Sequence, residues 1–130
     1  MSKKIDLSFG SFVLHDNFTI GIINDGEDLK KEENLSIINL CTNHYQSRHF
    51  GYISHRKNSY SVDPTVYKRT AELPNLVAIA LVLSEPAQKL SASIEKIFFD
   101  KPFEYFDSIE EAKKWMNKIV ILKNQQEKIR

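Results

Sequence analysis

The sequence predicts an α/β domain with a mixed five-stranded sheet and four helices, in the order β-β-α-β-α-β-α-β-α. Three observations predict it. Short apolar segments of strand length alternate with longer segments at helical spacing. The run 76–83 (Leu-Val-Ala-Ile-Ala-Leu-Val-Leu) carries no polar residue, so it needs cover on both faces, as strands of a parallel sheet do. Finally, only His15, Asp16 and Asn17 separate the first two strand-like segments, a connection short enough for an antiparallel hairpin.

The elements follow in chain order. Residues 5–14 alternate and are rich in Phe, Val and Leu, which suits one strand. The second strand covers 18–23, and Asn24-Asp25-Gly26 closes it with residues that tolerate positive φ. A first helix covers 29–45, with Leu35, Ile38 and Cys41 or Thr42 on its core face and Ile37, Cys41 and Tyr45 on the flank. Residues 46–49 form a loop, and 50–54 the third strand. Asp63 caps a second helix by accepting from its free amides, Pro64 fits its first turn, and Val66, Thr70 and Leu73 mark one face. Leu73-Pro74-Asn75 ends it, and the fourth strand follows. Ser84-Glu85-Pro86 opens a third helix whose Leu90, Ile94, Ile97 and Phe98 recur at helical spacing. Asp100-Lys101-Pro102 breaks it, and 103–106 is the fifth strand. Ser108-Ile109-Glu110-Glu111 is a capping box for the last helix, with Ile109, Ala112, Met116 and Ile119 as its core stripe. The domain is expected to span 1–122, with 123–130 a polar tail that frays into solvent. Strands joined by helices take right-handed parallel crossovers, so the first strand runs against the other four.

Composition narrows the function. A chain of 130 residues with 42% hydrophobic and 27% charged content is one globular domain of ordinary size. Eighteen basic against seventeen acidic residues leave no electrostatic footprint for nucleic acid. The single cysteine, Cys41, permits no internal disulfide and reads as a small buried hydrophobe in a helix. No long apolar run follows Lys3 and Lys4, and 76–83 is too short to span a bilayer, so no signal peptide and no membrane insertion are expected, and the location is read as cytoplasmic. His15, His44, His49 and His55 lack paired metal-ligand spacing, and four glycines form no phosphate-binding loop and no nucleophile elbow. No metal, no cofactor and no enzymatic activity are expected.

The candidate site is the segment after the third strand. Carboxyl ends of parallel strands gather ligands. Here that edge collects Asp25, His55, Arg56, Lys57, Ser59, Tyr60, Ser61, Asp63 and Ser84 as candidate binding residues. Arg56 and Lys57 bring positive charge, the helix amino ends bring amides, and Ser59, Tyr60 and Ser61 bring hydrogen-bonding groups. Tyr60 is expected exposed and Tyr52 partly buried. The alternative is that Arg56 pairs with Asp25 or Asp63 and the loop is merely solvated. Catalysis by His55 with Ser59 or Ser61 would need a hydrogen bond between them.

Ser61-Val62-Asp63-Pro64-Thr65 after the third strand, the 76–83 strand, and the ending Phe106-Asp107-Ser108-Ile109-Glu110-Glu111-Ala112-Lys113-Lys114-Trp115 together resemble small bacterial STAS-like proteins, also described as STAS/CRAL-TRIO-like. The resemblance covers about residues 5–119. It implies a STAS-like fold and a regulatory or interaction domain, binding a protein or a small anionic partner through the 55–63 loop. Edge strands and exposed aromatics also invite a homodimer. The CRAL-TRIO side of the resemblance implies another class, a carrier of a lipid or other apolar ligand, with Ile94, Phe98 and Phe99 lining a pocket between the third helix and the sheet. Anti-sigma-factor antagonists of the STAS group carry a phosphorylated serine in an Asp-Ser-Ser/Gly-Leu-Gly pattern. This chain departs from it, with Tyr60-Ser61-Val62-Asp63-Pro64 at that place.

Overall fold

The computed structural model describes residues 2–129. Its main sheet has six strands, not five. Residues 5–14 do not form one strand. They fold back at Ser8 and Phe9 into β1 (Lys3–Leu7) and β2 (Gly10–Leu14), paired antiparallel with Leu7 opposite Gly10. The reversal has a sequence signature: Ile5 and Leu7 are odd-numbered, whereas the buried Phe12 and Leu14 are even, and a continuous strand would put the two pairs on opposite faces. Gly10 sits where a Cβ would come within 2.7 Å of the Ile22 carbonyl oxygen, so the fold-back needs glycine there.

β3 (Phe18–Ile23) pairs antiparallel with β2, as the short connection predicts. From β3 onward the sheet is parallel, through β5 (Phe50–Arg56), β7 (Leu76–Leu83) and β8 (Phe103–Phe106). The spatial order is β1-β2-β3-β5-β7-β8. Two further short strands, β4 (Asp28–Leu29) and β6 (Ser61–Val62), pair with each other in parallel. Four helices complete the chain: α1 (Lys31–Tyr45), α2 (Val66–Ala71), α3 (Gln88–Ile97) and α4 (Ile109–Ile129).

β7 is buried at all eight positions, and its two faces do different work. Ile79, Leu81 and Leu83 join Phe12, Leu14, Tyr45, Phe50 and Phe103 in the cluster beneath α1, α2 and α3. Ala78, Ala80 and Val82 join Ile53, Ala112, Met116 and Val120 beneath α4. Small residues on the second face let a single helix lie close. Gly51 serves the same end, because a Cβ there would run into the Met116 side chain.

The helix faces differ in detail from expectation. In α1 the buried residues are Asn34, Ile37, Ile38, Cys41 and Tyr45, while Leu35 is half-buried and Thr42 exposed. The face rolls because Asn34 donates to the Thr70 hydroxyl (2.9 Å) and Tyr45 reaches the β2–β3 turn. In α4 Ala112, Met116 and Val120 are fully buried, and Ile109 and Ile119 sit on the rim of the cluster. Ser108 caps the helix by accepting from the Glu111 amide at 3.2 Å. Residues 123–129 continue α4 rather than fray from it, with the side chains of 121–128 exposed; Arg130 lies outside the described residues. Among the described residues no helix is long and apolar enough to cross a membrane.

Cys41 is buried as expected, against Thr19. Burial pushes its thiol up to about 11 from 9.0, partly countered by the Thr19 hydrogen bond. The native state therefore binds the thiol proton more tightly than the unfolded chain. That stabilisation is complete below pH 9 and is lost as pH rises toward 11. At pH 8 native Cys41 should react with a thiol reagent about 100-fold more slowly than the urea-unfolded chain, as read by thionitrobenzoate release.

Candidate functional site

The site forms where β5 and β7 end. The loop 57–60 leaves β5, turns back as β6, and enters α2 through Asp63 and Pro64. Opposite it stands α3. Between them lies a groove of about 510 Å³, lined by Arg56, Lys57, Ser59, Tyr60, Ser61 and Ser84 from the predicted set, and by Gln88, Ser91, Ile94 and Glu95 from α3.

The loop wall is tied down by backbone bonds rather than left as free coil. Asn58 donates to the Ile23 carbonyl at 2.9 Å, and the Ser59 amide donates to Asp25 Oδ1 at 2.9 Å. The Gly26 amide donates to the Ser59 carbonyl at 2.8 Å, at a positive φ of 78° that glycine accommodates. Ser61 N donates to Glu27 O and Asp63 N to Leu29 O, both at 3.0 Å, completing the β4–β6 ladder. Asp25 thus braces the loop from outside the groove. Asp63 also lies outside the groove, where its Oδ1 accepts from Thr65 N (3.0 Å) and Thr65 Oγ1 (2.7 Å). Those bonds hold its carboxyl below the usual range, and they close a turn ahead of the helix: α2 begins at Val66 with Thr65 at its N-cap and no side-chain cap bond, so Asp63 does not cap it and Pro64 lies before its first turn.

Arg56 departs furthest from expectation. It pairs with neither Asp25 nor Asp63. It lies inside the protein, 6% exposed, and forms a two-pronged ion pair with Glu95, itself 3% exposed. One prong, Nη1 to Oε2, measures 2.7 Å. Tyr67 donates to Glu95 at 2.5 Å, and the guanidinium sits 5.6 Å from the centre of the Tyr60 ring. Burial disfavours the arginine's charge, but the Glu95 hydrogen bonds outweigh it and hold the group protonated. Tyr60 is half-buried rather than exposed, its hydroxyl bonded to Ser54 Oγ at 3.1 Å. Tyr52 is half-buried, as expected.

The remaining predicted residues divide. Lys57 and Ser59 are exposed on the loop wall. Ser61 is exposed and bonds Asp28 through its hydroxyl. Ser84 donates from its hydroxyl to the Arg56 carbonyl at 2.7 Å, and Gln88 Oε1 accepts from the Ser84 amide at 2.8 Å and the Glu85 amide at 3.3 Å. Those two amides, in the turn between β7 and α3, are therefore occupied. His55 falls on the other face of the sheet, since neighbours in a strand point opposite ways. Burial, then the charges of Lys57 and Lys113, hold its imidazole below its usual pKa. The serines of the groove are on the far side of the sheet from it.

α3 is rolled about its axis relative to the sequence expectation. Leu90, Ile94 and Ile97 are 71%, 46% and 79% exposed, and Ala92, Glu95 and Phe99 face inward. The reason is the buried Arg56 charge, which draws Glu95 into the interior, with Phe99 packing against Tyr67 and Phe103. Glu95 was hidden in the sequence among apolar neighbours that read as the core face. Its only signal is the spacing Ala92, Glu95, Phe99, one side of a helix. The roll also keeps apart the residues that the alternative carrier reading would bring to one pocket: Ile94 lines the outer groove, Phe98 lies beneath Lys68, and Phe99 is core. An apolar cavity does exist on the α1–α2 side, lined by Ile37, Cys41, Phe50, Leu76 and Ile79 among others, but it measures about 50 Å³. A void of about 150 Å³ is what a benzene molecule fills, so this one is too small for a lipid chain. Among the described residues no group of three or more His, Cys, Asp and Glu could hold a metal ion.

No protein-family model matches the chain, and no curated protein matches it significantly. Among solved structures, it is similar to the crystal structure of an uncharacterized protein of the DUF3478 family, with a SpoIIAA-like fold, from Shewanella loihica PV-4. The two are 9% identical, the match covers 89% of this chain and 92% of that one, and the TM-score is 0.48.

Proposed function

We propose that this chain is a non-enzymatic STAS-like interaction domain whose partner enters the groove between the 57–64 loop and α3. One observation carries the reading: the 510 Å³ groove at the carboxyl ends of two parallel strands, where Lys57, Ser59, Ser61, Ser84, Gln88 and Ser91 converge. Its walls offer the exposed Ser59 and Ser91 hydroxyls and the Lys57 ammonium on braced backbone, which suits recognition. The position of His55 on the opposite face supports a binding role over a hydrolytic one.

Of the two occupants, a protein segment and a small anion, the groove's chemistry favours the protein. Arg56 is neutralised by Glu95, and Lys57, the other cation lining the groove, shares that lining with the acidic Glu85. An anion would find one exposed ammonium, whereas a peptide finds several donors and acceptors.

The test places a benzophenone amino acid at the exposed Ser59 and irradiates the host cell. A protein adduct is expected. The purified partner should bind the wild type and lose at least about tenfold in affinity with Ser59→Trp, which fills the groove while keeping the backbone bonds of residue 59. A native mass that carries a small molecule lost on denaturation would replace the protein partner with a small ligand. A bare chain without adduct would sink the reading.

A further inference from the structure

Three large aliphatic side chains on α3 face water at i, i+4 and i+7: Leu90, Ile94 and Ile97. An amphipathic helix normally turns such a stripe to the core. Here the core receives Ala92, Glu95 and Phe99 instead. For the isolated fold this is the poorer arrangement, since a carboxylate loses its water while three hydrophobes keep theirs. The roll is fixed by the two-pronged Arg56–Glu95 pair, the Tyr67 hydroxyl on Glu95, and Phe99 against Tyr67 and Phe103. The stripe is thus held outward by specific bonds.

We infer that α3 is a docking helix, with Leu90, Ile94 and Ile97 inserting into an apolar groove, rimmed by carboxylates, on a protein partner. This rests on the interaction reading above and adds the face used and the chemistry of the partner. The spacing is that of the anchors of a helix seated in a hydrophobic groove. The rim follows from charge. Lys89 and Lys96 lie along one flank of the stripe, Lys96 within 3.2 Å of Glu104 and Lys89 in no ion pair among the described residues. Lys57 stands across the loop groove, where Glu85 is the opposing exposed acid. Ile94 also lines that groove, so a partner gripping α3 continues into it.

Two other occupants fit less well. In a second copy stacked antiparallel, α3 against α3, the lysine flank would face itself, and three side chains fall far short of the roughly 800 Å² per partner that a stable dimer buries. A lipid surface would gain three aliphatic side chains and one unpaired lysine on the helix, less than the two strong signals that stable anchoring takes.

The experiment places the benzophenone amino acid at Leu90 and, separately, at Ile97 of the full chain, with the Ser59 position as reference. Both should yield an adduct with the same protein. That protein, purified, should bind wild type and lose about 30-fold or more with Leu90→Asp/Ile97→Asp, the scale of an anchor pair. Lys89→Glu should weaken binding several-fold, and added salt should reduce the wild-type affinity. Leu90 and Ile97 are mostly exposed, so circular dichroism and melting temperature should stay unchanged in the variants. Adducts at Ser59 with none at Leu90 and Ile97 would leave the groove reading standing and overturn the docking helix. No adduct at any position would remove both. A self-adduct, or co-sedimentation with phosphatidylglycerol vesicles that the aspartate variant abolishes, would overturn it in favour of a dimer or a membrane surface.

Discussion

Arg56→Ala should destabilise the fold by about 3–5 kcal/mol, the largest single effect expected near the site. The substitution leaves Glu95 at 3% exposure with the Tyr67 hydroxyl but no counter-charge. Arg56→Met/Glu95→Leu should behave differently and stay within about 2 kcal/mol of wild type, or exceed it, because both desolvation costs vanish together. Urea midpoints at constant slope read both variants, and a double-mutant cycle isolates the coupling. A cost under about 1 kcal/mol for the single change would mean that the pair is not buried as described. The double variant also separates positioning from folding. It removes the bonds that hold α3 in its roll, so a stable protein that has lost its partner would mark the pair as an orienting device.

Tyr45→Ala should cost a comparable amount, about 3–5 kcal/mol. Tyr45 is fully buried at the end of α1 and stacks on Phe50, with ring centres 4.3 Å apart and planes 3° from parallel. Its hydroxyl donates to the His15 carbonyl at 2.8 Å and lies 3.0 Å from Thr19 Oγ1. One side chain therefore ties the first helix to the β2–β3 turn and to the neighbouring strand. Tyr45→Phe keeps the stack and removes the hydroxyl, so it should cost about 1–2 kcal/mol. Chemical denaturation of the two variants side by side divides the effect between packing and hydrogen bonding. Equal losses would show that the ring contributes little.

Much of the frame was legible because it follows from local pattern. The 76–83 run demanded cover on both faces, and β7 has it, buried throughout between α4 and the other three helices. The three-residue connection at His15 forced an antiparallel pair, and the helices that follow forced parallel crossovers. Ser108 caps α4 as its motif predicts. The extra strand was also within reach, since the apolar positions change parity between Leu7 and Phe12, but simple alternation reads through a tight reversal.

The candidate site was legible as a place and misread in its chemistry. Arg56, Lys57, Ser59, Tyr60, Ser61 and Ser84 do meet at one groove, because strand order alone sends them to the same sheet edge. Asp25 and Asp63 became braces, and His55 went to the other face by the alternation of a strand that runs two residues longer than expected.

Sequence by itself determined the α/β class, the directions of the five strands it recognised and the edge where the candidate residues gather, since periodicity and connection length are local properties of the chain. Tertiary structure alone decided that Arg56 is buried, that Glu95 neutralises it, and that α3 therefore turns Leu90, Ile94 and Ile97 to water. The physical reason is that a helix's hydrophobic pattern sets which residues prefer burial, but an ion pair across 39 positions of sequence depends on where two distant elements meet in space, and at this site that bond outweighs the pattern.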